Sequence, residues 1–362
     1  MSKATRFVGI DLCRGLAAFA VILVHSGDET WGVPISDRAI QFRYLFYFAV
    51  PFFLAASFYF GTTKSPLKIS AAFWQKKLQR IVMPYLLWSI FYLVSKTIIF
   101  SFTDNTDLVQ QLLSDPLAII FMGAASYHLY FIPLLLAGTI LLNLANYLTK
   151  QRNSILWLFL LSIISLIIYQ LLILSNNNFD LDSYTAFPEL MKLLQPNNIL
   201  YQLWRIILVN LAWIIRCAPY FLIALLINEL LKQNNYKWFY KKQNMAILFV
   251  LFLLTNVAGE KYLPNALSEL IIAYSLLLWG IAISQYISNN ALIANLGLCS
   301  FGIYLIHPFV KSAVEIILIK LVPQISQSVS IASILTYSIL SFIISWMFIY
   351  LMQKNKLVSQ YL

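Results

Sequence analysis

The sequence predicts an all-α membrane protein with ten transmembrane helices, and three observations indicate that class. Hydrophobic residues make up 60% of the chain and charged residues only 11%, whereas soluble domains carry roughly 25% charged residues. The mean hydropathy is +0.77. The apolar residues also fall into separate stretches of about 15 to 28 residues, the length that a helix needs to cross the hydrocarbon core of a bilayer.

The ten apolar stretches follow one another along the chain and leave room for a single membrane domain over residues 1–362. The predicted helices lie near 8–26, 40–61, 81–101, 128–148, 153–175, 204–231, 245–259, 264–287, 297–321 and 328–352. A further apolar stretch, 117–126, is too short to span and is expected to be re-entrant or packed at the surface. The one long connection, 176–203, is polar and is expected to cover an external site.

The charged residues predict the orientation, because ten spans place both termini on the same side. That side collects most of the cations: Lys3, Arg6, Lys64, Lys68, Lys76, Lys77, Arg80, Lys150, Arg152, Lys232, Lys237, Lys241, Lys242, Lys354 and Lys356. The other side collects carboxylates: Asp28, Glu29, Asp37, Asp104, Asp107, Asp115, Asp180, Asp182, Glu189 and Glu260. Lys and Arg are retained in the cytoplasm, so we expect both termini to be cytoplasmic in a cell (inner) membrane. Topology then accounts for most of the net charge of +11, and no nucleic-acid partner is expected.

The first predicted helix contains polar residues that are costly in a membrane. The stretch "GIDLCRGLAAFAVILVHSG", residues 9–27, holds Asp11, Arg14 and His25, and a charged side chain near the bilayer centre costs roughly 2.5 to 3.5 kcal/mol. Arg14 and His25 return to within about 20° of one helix face, roughly 16 Å apart along the axis, and so are expected to face one cavity. Alternatively, Asp11 pairs with Arg14 structurally and His25 is an ordinary interfacial residue.

This first helix resembles the opening motif of the acyltransferase 3 family, membrane enzymes that use acyl-CoA, usually acetyl-CoA, to O-acylate extracytoplasmic carbohydrates. Further stretches agree in order, so that the resemblance covers nearly the whole chain: "FAVPFFLAASF", "QRIVMPYLLW", "HLYFIPLLL" and "FGIYLIHPFV". The resemblance implies transfer of an acyl group, most simply acetyl, from acetyl-CoA to a saccharide or a lipid-linked saccharide. We expect acetyl-CoA as a co-substrate and no metal.

The resemblance also implies that Arg14 and His25 are the functional pair. An imidazole with a pKa near 6.5 suits a general base that takes the proton of a sugar hydroxyl as it attacks a thioester, so His25 is expected to be catalytic. Arg14 is expected to bind the phosphate or pantetheine part of the coenzyme, or to orient the cavity through Asp11. An extended pantetheine arm is on the order of the separation between Arg14 and His25. A cytoplasmic coenzyme would then present its thioester near the outer surface.

Three more cations are candidates for binding the coenzyme. Family members often carry two arginines spaced R-x2-R before the third helix, where this chain has Lys77 and Arg80. Lysine keeps the positive charge but lacks the planar guanidinium group that binds phosphate through two hydrogen bonds. Arg80 is therefore a better candidate than Lys77 for binding phosphate. The alternative is that both are topology signals. Arg216 lies mid-span in the sixth predicted helix with no partner visible in the sequence, and is a candidate for contacting an anionic group.

The other two histidines have competing interpretations. His128 opens the fourth predicted helix on the same side as His25, so it is either a second catalytic residue or part of an aromatic belt. His307 lies near the bilayer midplane and precedes Pro308, which frees a backbone carbonyl one turn back, so we expect a structural role for His307. Lys311 and Glu315 are four residues apart and are expected to neutralise each other.

A transporter and an enzyme of another kind are the two alternatives to an acyltransferase of this family. A transporter of an anionic or lipid-linked substrate would use the intramembrane charges as a path, but the internal repeat that is usual for transporters is not evident. An H-x4-D acyltransferase motif is absent, because the fifth positions after the histidines hold Thr30, Pro133 and Ser312, and there is no H-E-x-x-H metal motif. A catalytic Ser26 activated by the adjacent His25 is a further alternative. The sequence is also compatible with a homo-oligomer.

Overall fold

A computed structural model describes residues 6–27, 35–63, 70–102, 106–193, 199–234, 241–288, 290–322 and 329–355. Over these ranges the protein is helical and contains no strand, which confirms the all-α prediction. Several charged residues used to predict the orientation lie outside the described residues: Lys3, Asp28, Glu29, Lys64, Lys68, Asp104, Lys237 and Lys356.

The helices vary in length from single turns to more than thirty residues. In chain order they are α1 (Val8–Val24), α2 (Asp37–Tyr44), α3 (Ala49–Thr62), α4 (Ala71–Lys77), α5 (Met83–Phe102), α6 (Thr106–Leu113), α7 (Pro116–Met122), α8 (Phe131–Thr139), α9 (Ala145–Thr149), α10 (Ser154–Leu174), α11 (Pro188–Lys192), α12 (Ile199–Asn234), α13 (Lys242–Tyr262), α14 (Asn265–Ile283), α15 (Ala291–Leu321) and α16 (Ile331–Gln353). A π-helical turn, Leu78–Val82, joins α4 to α5, and a 3₁₀ turn, Ile140–Leu144, joins α8 to α9.

Nine helical segments of the described chain are long and apolar enough to cross a membrane, so the protein is a multi-pass membrane protein. They are Asp37–Thr62, Ala71–Ser101, Phe131–Thr149, Ser154–Leu174, Ile199–Lys232, Lys242–Tyr262, Asn265–Ile283, Ala291–Leu321 and Ile331–Gln353. The first predicted span is α1, whose 17 residues make it shorter than any of these. Ten spans and cytoplasmic termini therefore stay predictions.

The observed helices differ from the predicted ones at three places. The predicted helix 40–61 is interrupted between α2 and α3, where the Asn256 side chain donates to the carbonyl of Leu45 at 2.7 Å. The helix predicted at 81–101 begins ten residues earlier, at Ala71, because the basic residues before it form an exposed helical extension. The predicted connection 176–203 is shorter, since α12 already begins at Ile199.

The stretch 117–126 forms the short helix α7 and then a turn, rather than a span. Asp115 caps the helix, because its Oδ1 accepts from the amide of Ala118 at 3.0 Å. Gly123 ends it in the left-handed region with a φ of 82°. A Cβ at this position would also lie 2.6 Å from the carbonyl carbon of Leu129, so the return of the chain toward α8 requires glycine.

Helix α1 lies inside the bundle, packed against α3, α14, α15 and α16. Small residues allow the close approach: a Cβ on Gly9 would lie only 2.1 Å from the carbonyl oxygen of Gly280 in α14. In contrast, α10 and α13 expose rows of leucine, isoleucine and valine, as a lipid-facing helix does. Most of α1 is therefore buried within the helix bundle.

Candidate active site

His25 immediately follows the last turn of α1, where the chain leaves the helix. Its carbonyl accepts a hydrogen bond from the Lys311 ammonium of α15. A lysine that bonds a carbonyl at the C-terminal end of a helix also stabilises the helix dipole. Gly27, with a φ of 74°, then turns the chain away, and a Cβ there would lie 2.6 Å from Val329 Cγ1. Contacts from α15 and from the segment just before α16 thus fix the direction in which the chain leaves α1 at His25.

The three histidines of the chain, far apart in sequence, lie in one cluster. The ring centroids of His25 and His307 are 6.1 Å apart, and those of His128 and His307 are 5.0 Å apart. Tyr127 lies between the His25 and His128 rings, with centroids at 4.5 and 5.6 Å. The structure therefore brings His128 into the environment of His25, as one of the two sequence interpretations expected, and adds His307 to it.

The hydrogen bonds of His128 leave it no free ring nitrogen. Its Nε2 lies 3.3 Å from the carbonyl oxygen of Leu305, which only accepts, so Nε2 carries the proton. Its Nδ1 then accepts from the hydroxyl of Ser126 at 3.1 Å. The side chain is fully buried, and its own carbonyl accepts from the hydroxyl of Tyr304. This arrangement suits a neutral imidazole that orients its neighbours rather than one that takes a proton from a substrate.

His307 satisfies the backbone next to Pro308. Proline has no amide hydrogen, so the carbonyl of Tyr304 one turn back loses its helical partner. The Nδ1 of His307 takes that place at 2.7 Å from the Tyr304 oxygen, as the sequence interpretation expected. Nδ1 therefore carries the proton, and Nε2 points into the histidine cluster without a hydrogen-bond partner among the described residues.

His25 differs from the other two histidines because it is only partly buried and lines a cavity of about 480 Å³. The rim is formed by the exposed side chains of Tyr44 and Tyr47 from the break between α2 and α3, and by Glu260 at the end of α13. Arg216 of α12 and Glu269 of α14 lie deeper in its wall. A cavity of this size can hold a small ligand.

Arg216, which had no partner visible in the sequence, pairs with Glu269 on the neighbouring helix. Its NH2 lies 3.3 Å from Glu269 Oε2, and the hydroxyls of Tyr169 and Tyr220 donate to the same oxygen at 3.1 and 3.0 Å. The pair is half-buried, since the side chains are 25% and 28% exposed. Glu269 therefore neutralises the guanidinium inside the cavity, which makes Arg216 a weaker candidate for an anionic group.

Arg14 lies in the opposite half of α1. The expected pair between Asp11 and Arg14 is not what the structure shows: Asp11 Oδ2 is 2.5 Å from the Nε of Arg6. The guanidinium of Arg14 instead lies over the ring of Phe60 in α3, 5.8 Å from its centroid. A partly buried guanidinium held against an aromatic face keeps its fork of donors available for an anionic ligand.

Lys77 and Arg80 flank the start of the π-helical turn, and their environments differ. The ammonium of Lys77 donates to the hydroxyl of Thr139 at 3.1 Å and lies 5.7 Å from the centroid of Phe73. Arg80 is exposed. π-turns within α-helices occur frequently at functional sites. The described contacts do not join either residue to Arg14.

Sequence reasoning missed Glu269, Tyr127 and the contact between Lys311 and His25. The signal for Glu269 was present, because a carboxylate within an apolar helix usually faces the bundle interior. Tyr127 was visible only as a neighbour of His128, and the bond from Lys311 joins residues 286 positions apart. Neither the partner of Lys311 nor the partners of Glu269 are close to these residues in the sequence.

Neither the curated proteins nor the solved structures include a significant match to this chain. A family model described as an acyltransferase domain matches residues 7–350, which include every helix named above except the last turn of α16. Because this match covers nearly the whole chain, the protein belongs to the acyltransferase 3 family and is a membrane acyltransferase.

Proposed function

We propose that the protein is an O-acyltransferase that moves an acyl group, most simply acetyl, from cytoplasmic acetyl-CoA to a hydroxyl of an extracytoplasmic saccharide or polysaccharide precursor. The proposed location is a cell (inner) membrane with both termini in the cytoplasm. His25 would act as the general base, at the outer end of α1. Arg14 would hold the coenzyme from the cytoplasmic half.

One observation carries the proposal: the only histidine of the cluster that lines the cavity is His25, among the residues that the structure describes. His128 uses both ring nitrogens in hydrogen bonds, and His307 is fully buried. His25 therefore combines access to a ligand with a ring held by Tyr127 and His307. A general base needs that combination, because it must reach the substrate proton in a fixed geometry.

The reaction balances without a metal or an oxidant. His25 takes the proton of the acceptor hydroxyl as its oxygen attacks the thioester carbonyl. The carbon–sulfur bond breaks, the new ester bond forms, and His25 returns the proton to the departing thiolate. The products are the acylated saccharide and CoA with a free thiol. General acid–base catalysis of this kind contributes typically about 10² to 10⁴-fold to a rate.

The donor is supported by three cations of the predicted cytoplasmic side. Arg14 carries a guanidinium that is suited to bidentate contact with phosphate, and Lys77 and Arg80 would add positive charge on that side. Along α1, Arg14 and His25 are separated by roughly 16 Å. The acyl group would reach His25 while the charged part of the coenzyme stays on the cytoplasmic side.

The test measures transfer of radiolabelled acetyl from acetyl-CoA into glycan, in membranes that contain equal amounts of the native protein or of His25→Ala. Label in glycan with the native protein, lost in the variant, is the expected result. Exposed Lys150→Ala serves as the control for substitution itself. Equal labelling by native protein and His25→Ala would refute the role of His25. No labelling by either, together with no binding of acetyl-CoA, would refute the donor and favour a transporter.

A further inference from the structure

The wall of the cavity next to His25 holds a charged pair whose polar atoms are only partly used. We propose that Arg216 and Glu269 form the recognition site for the acceptor and that this site takes an uncharged sugar ring. The inference deepens the proposed function and rests on it for the identity of the ligand as acceptor. Neither residue belongs to the motifs that carried the family resemblance.

The pair of Arg216 and Glu269 leaves part of its hydrogen-bonding capacity unused. All three donors that approach Glu269, from Tyr169, Tyr220 and Arg216, bond to the same oxygen, Oε2. The described residues place no donor on the other oxygen, Oε1. The buried Nε of Arg216 has no acceptor among them either. Buried charged groups are costly unless their hydrogen bonds are made, so this half-satisfied pair is suited to a ligand that carries both donors and acceptors.

Sugar hydroxyls meet that requirement, because each one donates and accepts. A carboxylate oxygen accepts from two neighbouring hydroxyls, whereas a guanidinium donates to hydroxyl or ring oxygens. The cavity offers further neutral polar groups from Asn256, Asn265 and Ser268. The polar groups converge on one wall, which is the usual way in which a pocket fixes the orientation of its ligand.

Aromatic side chains lie on both sides of the pair of Arg216 and Glu269. A second cavity, of about 180 Å³, lies behind it and shares Arg216, Glu269 and Asn265 with the first. Phe179 and Trp213 line that second cavity, and their rings contact each other at 5.0 Å between centroids. On the other side, Tyr130 lines the larger cavity. Aromatic side chains provide rigid apolar faces for the C–H faces of a sugar ring.

The charged side chains of the larger cavity favour a ligand without a negative charge. Two carboxylates, Glu260 and Glu269, line the larger cavity, and Arg216 is the one Lys or Arg in its described lining. A ligand with its own carboxylate would meet like charge, which opposes binding. An uncharged sugar ring avoids that cost and still uses the free oxygen of Glu269.

The experiment measures binding without any acyl donor, so its outcome does not depend on catalysis. The full-length protein in lipid nanodiscs is titrated with the methyl glycosides of glucose, galactose and N-acetylglucosamine and with methyl glucuronide, and binding is followed by saturation-transfer NMR. We expect at least one neutral glycoside to bind, and the glucuronide to bind more weakly. Glu269→Gln should weaken binding of the neutral glycoside by about tenfold or more, because it removes a hydrogen bond to a charged group. Exposed Glu189→Gln, away from the cavity, is the matched control.

A second variant separates recognition from folding. Glu269→Gln leaves the charge of Arg216 unpaired, whereas Arg216→Met with Glu269→Gln removes both charges and restores the balance. The double variant should fold with the native thermal midpoint and still fail to bind the neutral glycoside. The inference is overturned if no neutral glycoside binds the native protein, if the folded double variant binds as well as the native protein, or if the glucuronide binds best. Glycoside binding that depends on Glu269, without any acetyl transfer, would refute the proposed function alone.

Discussion

Replacing Lys311 by methionine tests whether the bond from α15 positions His25. Methionine keeps the length of the side chain but removes the ammonium that donates to the His25 carbonyl. A hydrogen bond to a charged group contributes about 1.5 to 3 kcal/mol. If that energy holds the base in place for the reaction, its loss corresponds to a decrease of roughly ten- to hundredfold in kcat/KM.

The substitution also disturbs a buried carboxylate, and a second variant must separate the two effects. Lys311 Nζ lies 3.9 Å from Glu315 Oε1, and both side chains are almost fully buried, at 5% and 6% exposure. Breaking a buried pair by removing one partner costs about 3 to 5 kcal/mol. Lys311→Met alone should therefore lower the thermal midpoint, whereas Lys311→Met with Glu315→Gln should recover most of it.

The assay compares acetyl transfer and thermal unfolding for the native protein, the double variant and Lys311→Arg. The double variant should fold but transfer slowly. Lys311→Arg keeps donors near the carbonyl and should recover part of the activity. As a positioning residue, Lys311 should change the rate without moving the pH at which the rate rises. A well-folded double variant with the native kcat/KM would refute the positioning role.

Substitutions at Arg14, His128 and Asp115 test three other contacts. Arg14→Lys keeps the charge but loses the planar fork, and should raise KM for acetyl-CoA about tenfold with little change in kcat, measured by initial rates. His128→Gln should lower the thermal midpoint without shifting the pH profile of transfer, because both ring nitrogens already have partners; a shifted profile would make His128 a second base. Asp115→Asn should destabilise the protein near neutral pH, and that difference should shrink as the pH falls below about 4, measured by thermal unfolding against pH.

The sign of the last prediction follows from the pKa of Asp115, which lies between α6 and α7. Burial raises this pKa, but the bidentate bonds from Arg205, at 2.6 and 2.7 Å, and the amide of Ala118 lower it more, so the net shift is below the usual value. A lowered pKa in the folded state means that the stabilisation is present above the unfolded-state pKa and is lost as the pH falls through the folded one. A difference that grew on acidification would contradict this reasoning.

The fold was predictable from sequence where one apolar stretch forms one helix. α10 and α14 coincide with predicted spans to within a few residues, because hydrophobicity and length alone set their limits. The break between α2 and α3 was missed, although Pro51 in the first turn of α3 is a residue that commonly opens a helix. The bond from Asn256 at this break was not predictable, because it comes from a helix some 200 residues later. The helix α4 was also missed, because it ends in basic residues and lies before the apolar stretch by which the span was located.

The candidate site was only partly visible for the same reason. Spacing along one helix placed Arg14 and His25 at different depths of α1, and proline chemistry accounted for the bond between His307 and Tyr304. Nothing local brings His128 beside His307, and nothing local pairs Arg216 with Glu269. Those contacts depend on how helices pack, which a single sequence does not contain.

The most direct test of the account uses sealed proteoliposomes in which the protein is oriented with its termini outside. Radiolabelled acetyl-CoA is supplied outside and an oligosaccharide acceptor is enclosed in the lumen. We expect labelled acetyl on the enclosed acceptor and all free CoA outside, and we expect His25→Ala to abolish this transfer. CoA found in the lumen, or label only on acceptor added outside, would contradict transfer of the acyl group along α1.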